Sequence, residues 1–214
     1  MPSVRGALKL RSRALVELIL TAAFAVGIAW TAEALVVKPY RIPSSSMEPT
    51  LVVGERVIVN RLATELGAPH VGEIVVFHPP ADAEQQECGE QGAQVTPGGA
   101  PCATPSRHEA SVNFIKRVVA GPGDRLYVSG GHVYREAAGT TGFVREQDSY
   151  TAPCGTSSEC NFLRPITIPA GTWFMMGDNR GDSDDSRFWG PVPSTWIIGV
   201  AVASYWPLNK LGAL

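Results

Sequence analysis

The chain has 214 residues, of which 44% are hydrophobic and 18% charged, with a formal net charge of -2. Ordinary apolar content at low net charge excludes disorder throughout, and the lack of a basic surplus excludes a general nucleic-acid binder. The length suffices for a sizeable core without staples, and 22 glycines with 17 prolines predict an all-β or α+β protein with long loops.

Residues 1–13 form a basic tail with Arg5, Lys9, Arg11 and Arg13 and no acid. ALVELILTAAFAVGIAWTAEALVV follows over residues 14–37, with no charge between Leu18 and Ala32. A bilayer core needs roughly 20 mostly apolar residues, a length reached here with Glu17 and Glu33 near the two ends. A cleaved signal peptide would have a shorter apolar core and a small-residue cleavage site, which TAEALVV offers poorly. A buried amphipathic helix is the third alternative. The retained anchor is the reading adopted, and the one-sided basic flank puts the N-terminus in the cytoplasm and the rest outside.

Short strands and turns are expected beyond the anchor. Leu51–Asn60 has a glycine turn and a β-branched run, and Val71–Pro80 is a strand stopped by two prolines. Residues 81–110 are polar and rich in Gly, Pro, Gln and Glu, which predicts a loop insertion. Val112–Glu136 reads as strand, Pro-Gly turn, strand, Gly-Gly hairpin, strand. Residues 137–165 read as loop, Ile166–Arg180 as two strands around a Pro-Ala-Gly turn, and Trp196–Leu208 as the last strand, its IIGVAVASYW run too short to span.

Outside the cell the redox state permits disulfides, and spacing makes Cys88–Cys102 and Cys154–Cys160 the simplest of three pairings. No CxxC pattern is present and His70, His78, His108 and His132 are scattered, so no metal site and no cofactor is expected.

Three segments carry candidate chemistry. In RIPSSSMEPTL (Arg41–Leu51) two prolines constrain three serines. A free linker would not bury Met47 and Leu51, so one of these serines can be a held nucleophile if a base removes its proton. No histidine sits in a tight apolar setting. Lys116, in FIKRVV, does: on a strand it shares a face with Phe114 and Val118. Loss of hydration lowers its pKa, and a neutral amine can act as a general base. The bland alternative is a strand-edge lysine whose stem covers apolar surface. Met175–Pro193 holds Asp178, Asp182, Asp184 and Asp185 beside Arg180 and Arg187. An EF-hand fails there, with Arg180 at the third position and Trp189 at the twelfth. A loop pinned by ion pairs fits better, and its Arg-Gly-Asp tripeptide is too short and common to signify.

Together Pro43–Leu51, Gly54–Asn60, Phe114–Asp124 and Gly177–Pro193, in this order after an anchor, resemble the bacterial type I signal peptidases, membrane-bound Ser-Lys endopeptidases. The resemblance implies Ser46 as nucleophile and Lys116 as general base. It implies an oxyanion hole from the Ser44 hydroxyl and the Ser46 backbone N–H. It further implies Ser183 orienting the lysine, Asp185 and Arg187 as a supporting ion pair with Asp178 nearby, and Gly177 letting the chain pass close to the lysine. Ile42, Met47 and Ile115 would line the pocket for a small residue before the cut. Ser45, Glu55, Phe114 and Asp182 depart from the residues frequent in the family, without removing a reacting group.

The implied fold is mostly β: an antiparallel catalytic domain over 38–125 and 171–214, a smaller inserted β subdomain over 126–170, and one N-terminal transmembrane helix. The implied activity is cleavage of signal peptides after Ala-X-Ala-type sites. Implied partners are signal-peptide-bearing pre-proteins, membrane lipid and the export translocon, with no nucleic acid. The alternatives are a self-cleaving repressor-type Ser-Lys protease, for which no helix-turn-helix is visible, and a catalytically silent or dedicated-substrate homologue.

Overall fold

The computed structural model describes residues 4–89 and 92–214. Two units are present, one ending at Lys38 and one running Pro39–Leu214. The first holds helix α1 (Val4–Leu35). Its 32 residues correspond to about 48 Å at 1.5 Å per residue. The helix thus takes in most of the segment expected as a separate basic tail. It stops short of residue 37, because Val37–Arg41 is extended. The side chains of Arg5, Lys9, Arg11, Arg13 and Glu33 lie outside the described residues. Along its described part Leu18, Phe24 and Trp30 are exposed. Among the described residues no helix is long and apolar enough to cross a membrane, so the expected transmembrane span is not found as such.

The second unit is mostly antiparallel β. Its strands are β1 (Val37–Arg41), β2 (Arg56–Asn60), β3 (Ile74–Phe77), β4 (Glu87–Cys88), β5 (Ala93–Gln94), β6 (Phe114–Ala120), β7 (Arg125–Ser129), β8 (His132–Glu136), β9 (Val144–Arg145), β10 (Phe162–Thr167), β11 (Thr172–Met176), β12 (Val192–Pro193), β13 (Ile197–Trp206) and β14 (Gly212–Ala213). Two short helices, α2 (Leu62–Leu66) and α3 (Ser186–Trp189), join them. The main sheet runs β1-β2-β13-β3-β6-β11-β12, with β14 on β13. A second sheet runs β10-β7-β8-β9.

All four residues of β3 are buried, which a strand covered on both faces requires. On one face Ile74, Val76 and Ile115 pack with Ile42, Met47, Leu51 and Val57. On the other, Val75, Phe77, Val118 and Ala120 pack with Phe174, Met175 and Trp189. Leu126, Val128, Val133 and Phe162 of the second sheet enter that same second core. Loop expectations gave way in three places, one of them β9 (Val144–Arg145) within 137–165. The 81–110 segment carries the β4-β5 ladder, Glu87 opposite Gln94, and β10 starts at Phe162 rather than Ile166. Cys88 bonds Cys102 and Cys154 bonds Cys160.

Register around β6 positions everything that follows. Phe114, Ile115, Lys116 and Arg117 pair with Phe77, Val76, Val75 and Ile74 of β3. On the other side the ladder to β11 runs from Phe174–Ala120 to Met176–Arg117. At Gly177 the chain leaves the sheet, and a cleft opens beside Phe114–Lys116.

Candidate active site

The serine segment is fixed from below. Met47 and Leu51 are wholly buried beneath it, and their burial folds Ser45–Met47 into a single 3-10 turn. Ser46 is thereby held at 7% exposure, facing the cleft. Lys116 comes from the middle of β6 at 4% exposure. Its Nζ donates to Ser46 Oγ at 2.6 Å, and its ammonium lies 5.6 Å from the centre of the Phe114 ring. Burial is the largest influence on the amine and brings it down to about 8, against the opposing pull of Asp185 and Asp184. A charged amine sheds water poorly, so a sealed lysine favours the neutral form that can take a proton. Ser44 Oγ is 3.3 Å from Ser46 Oγ, which brings a second hydroxyl beside the reacting oxygen.

Behind the lysine is a charged support. Arg187 Nε donates to Asp185 Oδ1 at 2.8 Å and another guanidinium nitrogen to Oδ2 at 2.9 Å. Both residues are fully buried, so this is a forked, charge-assisted pair. Burial alone would raise the Asp185 carboxyl, but the Arg187 charge and the hydrogen bonds from Arg187 and the Gly177 N–H hold it below its ordinary value. Ser183 Oγ also donates to Asp185 Oδ2, at 2.8 Å. The proton expected to orient Lys116 therefore points to Asp185 here. The oxygen of Ser183 still faces the cleft that Lys116 lines.

The other side of β6 has its own anchor. Arg117 donates to both oxygens of Asp178, from Nε at 2.9 Å and from another nitrogen at 2.6 Å. Thr50 Oγ1 donates to Asp178 Oδ2 at 2.6 Å, and the Arg117 guanidinium stacks 3.9 Å above the Tyr150 ring. Asp178 thus ties the lysine's neighbour to the serine segment. Ser45 Oγ donates to Asp182 Oδ2 at 2.6 Å and Asn179 Nδ2 to the Ser45 carbonyl at 3.3 Å. Gly177 passes close to Ser46 and Ser183: a Cβ there would overlap the Ser46 carbonyl oxygen and the Ser183 hydroxyl.

The cleft holding Ser44, Ser46, Lys116 and Ser183 has a volume of about 460 Å³. A smaller apolar one of about 290 Å³, lined by Ile42, Val76 and Ile115, continues from it through Pro43 and Phe114. Ile115 therefore lines both clefts and Ile42 the smaller one. Met47 lines neither cleft, because it is spent on the core below. Larger cavities of about 850 and 670 Å³ border Gly130–Asn161 and Val118–Tyr150 and contain neither Ser46 nor Lys116. Among the described residues no group of acids, histidines and cysteines could hold a metal ion.

Sequence reasoning missed Arg117, Thr50 and Asn179 as anchors. Their partners lie 61 and 128 positions away for Arg117 and Thr50, and only the acid-rich character of 178–185 hinted at them. The site in outline is a buried hydroxyl, a buried amine within hydrogen-bond distance of it, and a second hydroxyl beside the first. That set suits acyl transfer.

The family described as signal peptidase, peptidase S26, matches residues 15–206. A signal peptidase I of Leptolyngbya laminosa is 36% identical over 94% of this chain and 84% of its own. A probable signal peptidase I-1 of Synechocystis sp. is 33% identical over 84% of this chain and 76% of its own. A solved signal peptidase I from Enterococcus faecalis V583 overlaps 63% of this chain and 97% of its own, at TM-score 0.35 and 22% identity.

Proposed function

The chain belongs to the signal peptidases of the peptidase S26 family, and we propose that Ser46 and Lys116 carry their chemistry in it. The protein is a serine endopeptidase that removes signal peptides from pre-proteins. The observation carrying the residue assignment is the 2.6 Å contact between two buried side chains, Lys116 Nζ and Ser46 Oγ.

In this reading neutral Lys116 takes the Ser46 hydroxyl proton as the oxygen attacks the scissile carbonyl. The oxyanion that forms is received by the Ser44 hydroxyl and the Ser46 backbone N–H. Each such donor is worth roughly 2.7–4 kcal/mol in the transition state. The lysine ammonium then gives its proton to the departing amine. Water, deprotonated by the same lysine, releases the acyl-enzyme. Asp185 and Arg187 hold Ser183 in place, and Asp178 holds Arg117, so the dyad keeps its geometry without either pair touching substrate. The apolar cleft at Ile42 and Ile115 admits small side chains, as Ala-X-Ala sites present.

The same reading makes residues 14–37 a single membrane anchor, with the N-terminus cytoplasmic and the catalytic unit extracytoplasmic. The one-sided basic flank and the exposed Leu18, Phe24 and Trp30 support it. Lipid and the export translocon are its proposed neighbours.

The test is cleavage of an Ala-X-Ala pre-protein by the full chain in detergent, beside Ser46→Ala and Lys116→Ala. Loss in both folded variants supports the dyad, and substantial activity in Lys116→Ala refutes the base. A folded wild type that cleaves nothing points to a silent or dedicated-substrate homologue.

A further inference from the structure

Asp184 sits in sequence between Ser183 and Asp185, which are hydrogen-bonded to each other, yet stands apart from that bond. Its Oδ1 is sealed from solvent with no hydrogen-bond partner. The residue nevertheless lines the same cleft as Ser46, Lys116 and Ser183. A carboxylate with a sealed, unsatisfied oxygen is costly to ionise, so the neutral acid is favoured. Burial, and after it the charge of Asp185, push this carboxyl up to about 7. Lys116 meanwhile comes down to about 8, with Asp184 among the charges acting on it. Two groups of opposite charge type thus titrate over one stretch of pH, each within the other's field.

We infer that Asp184 is a positioning residue of the dyad: from its wall of the cleft, its carboxyl group sets the charge against which Lys116 gives up its proton, and with it the position of the acid limb of the pH–rate profile. The inference rests on the reading of Ser46 and Lys116 as nucleophile and base. The other charges around Asp184 are Asp185 in the same loop, Arg187 on α3, Glu159 from the 158–160 turn, and Lys116 on β6. Asp182 lines the cleft as well and accepts from Ser45, and Asp178 acts on Lys116 from the far side. Asp185 and Arg187 are locked together through neutral pH, so their charges stay constant there. Asp184 is the neighbour whose own charge changes as the lysine titrates. Once ionised it stabilises the Lys116 ammonium and holds the proton on the base. Removing that charge eases deprotonation.

The experiment is kcat/KM against pH for an Ala-X-Ala pre-protein, with the full chain in detergent. Asp184→Asn should move the acid limb to lower pH by up to about half a unit, an increase in kcat/KM of up to about threefold between about pH 7 and 8, where Asp184 is ionised and Lys116 still charged. Asp184→Glu, which keeps the charge, should leave the limb near the wild-type position. A superimposable Asp184→Asn profile, or a limb moved to higher pH, overturns the inference. If Asp184→Asn does not fold, a carbon-13 titration of the wild-type Asp184 carboxyl decides. A midpoint near neutrality supports the coupling, and one in the ordinary carboxylate range overturns it. The titration needs no turnover, so a wild type that cleaves nothing defeats the functional reading and leaves Asp184 separately judged.

Discussion

The backbone N–H of Asn179 donates to the carbonyl oxygen of Ser46 at 3.1 Å. This bond couples the nucleophile's own peptide unit to the acidic loop that carries the lysine's support. The two halves of the site are therefore set by one another, and damage to either should appear at the dyad.

Lys116 is a source of activity and a cost to stability. With the folded amine at about 8 and the unfolded one near its ordinary value, the unfolded chain binds more protons between those two limits. The penalty is fully present below pH 8 and fades as pH rises toward about 10.4. Lys116→Met should abolish cleavage, lowering kcat by about 10³ or more. It should also unfold at higher denaturant than wild type at pH 7, by about 3 kcal/mol. The gap should shrink as pH rises, and a gap independent of pH would contradict the origin given for it. Wild-type kcat/KM should rise through pH 8 from below, since only the neutral amine is a base.

Gly177→Ala puts a methyl group against the Ser46 carbonyl and the Ser183 hydroxyl. Neither can retreat without moving the nucleophile or the Asp185 bond. We expect a stability loss of about 1–3 kcal/mol and a kcat lower by about ten- to a hundredfold. Thermal melts and steady-state kinetics read the two effects, and near-wild-type kcat would show that the loop can shift freely.

Asp185→Ala leaves Arg187 charged, fully buried and stripped of its carboxylate. Such a change costs about 3–5 kcal/mol. The double variant Asp185→Ala with Arg187→Met should recover part of that loss, because the orphaned charge goes too. Equal instability of the single and double variants, in urea titrations, would sink this account.

The Cys88–Cys102 bridge closes a loop of 14 positions within the 81–110 segment, and the Cys102 N–H donates to the Arg187 carbonyl on α3 at 2.9 Å. Replacing both cysteines by serine should cost about 3 kcal/mol. A thiol reagent should find no free thiol in the unreduced chain, consistent with the absence of free cysteines.

Trp206, Leu208 and Leu211 are exposed together near the end of the chain, at 50%, 71% and 68%. Residues 39–214, which carry both apolar cores, should float with phospholipid vesicles, and changing these three to serine should release them. Complete absence of the unchanged unit from the vesicle fraction would remove these three residues as a lipid contact.

The settings of Lys116 and Ser46 were legible in the sequence from local rules, although it was the family resemblance that paired them. Lys116 alternates with Phe114 and Val118 on a β-branched run, and Ser46 abuts a methionine that needs burial. Those features are written in neighbouring letters. The support is not. Ser45 meets Asp182 across 137 positions and Arg117 meets Asp178 across 61, and no periodicity announces such pairs. Even the Ser183 proton, two residues from Asp185, is directed by a fully buried ion pair whose burial only packing decides. The reach of the second sheet into the Trp189 core was hidden for the same reason, since alternation shows that a face is apolar without showing what covers it.

The early departure of β11 from β6 at Met176 has a consequence for timing. Beside Phe114–Lys116 there is room for a backbone, and what fits a strand edge is chain that is itself extended. A cleavage site already wound into a helix or folded into a domain presents no such edge. The enzyme's opportunity is thus a window in the life of its substrate, open while the chain emerges unfolded and shut once the product's own structure has formed.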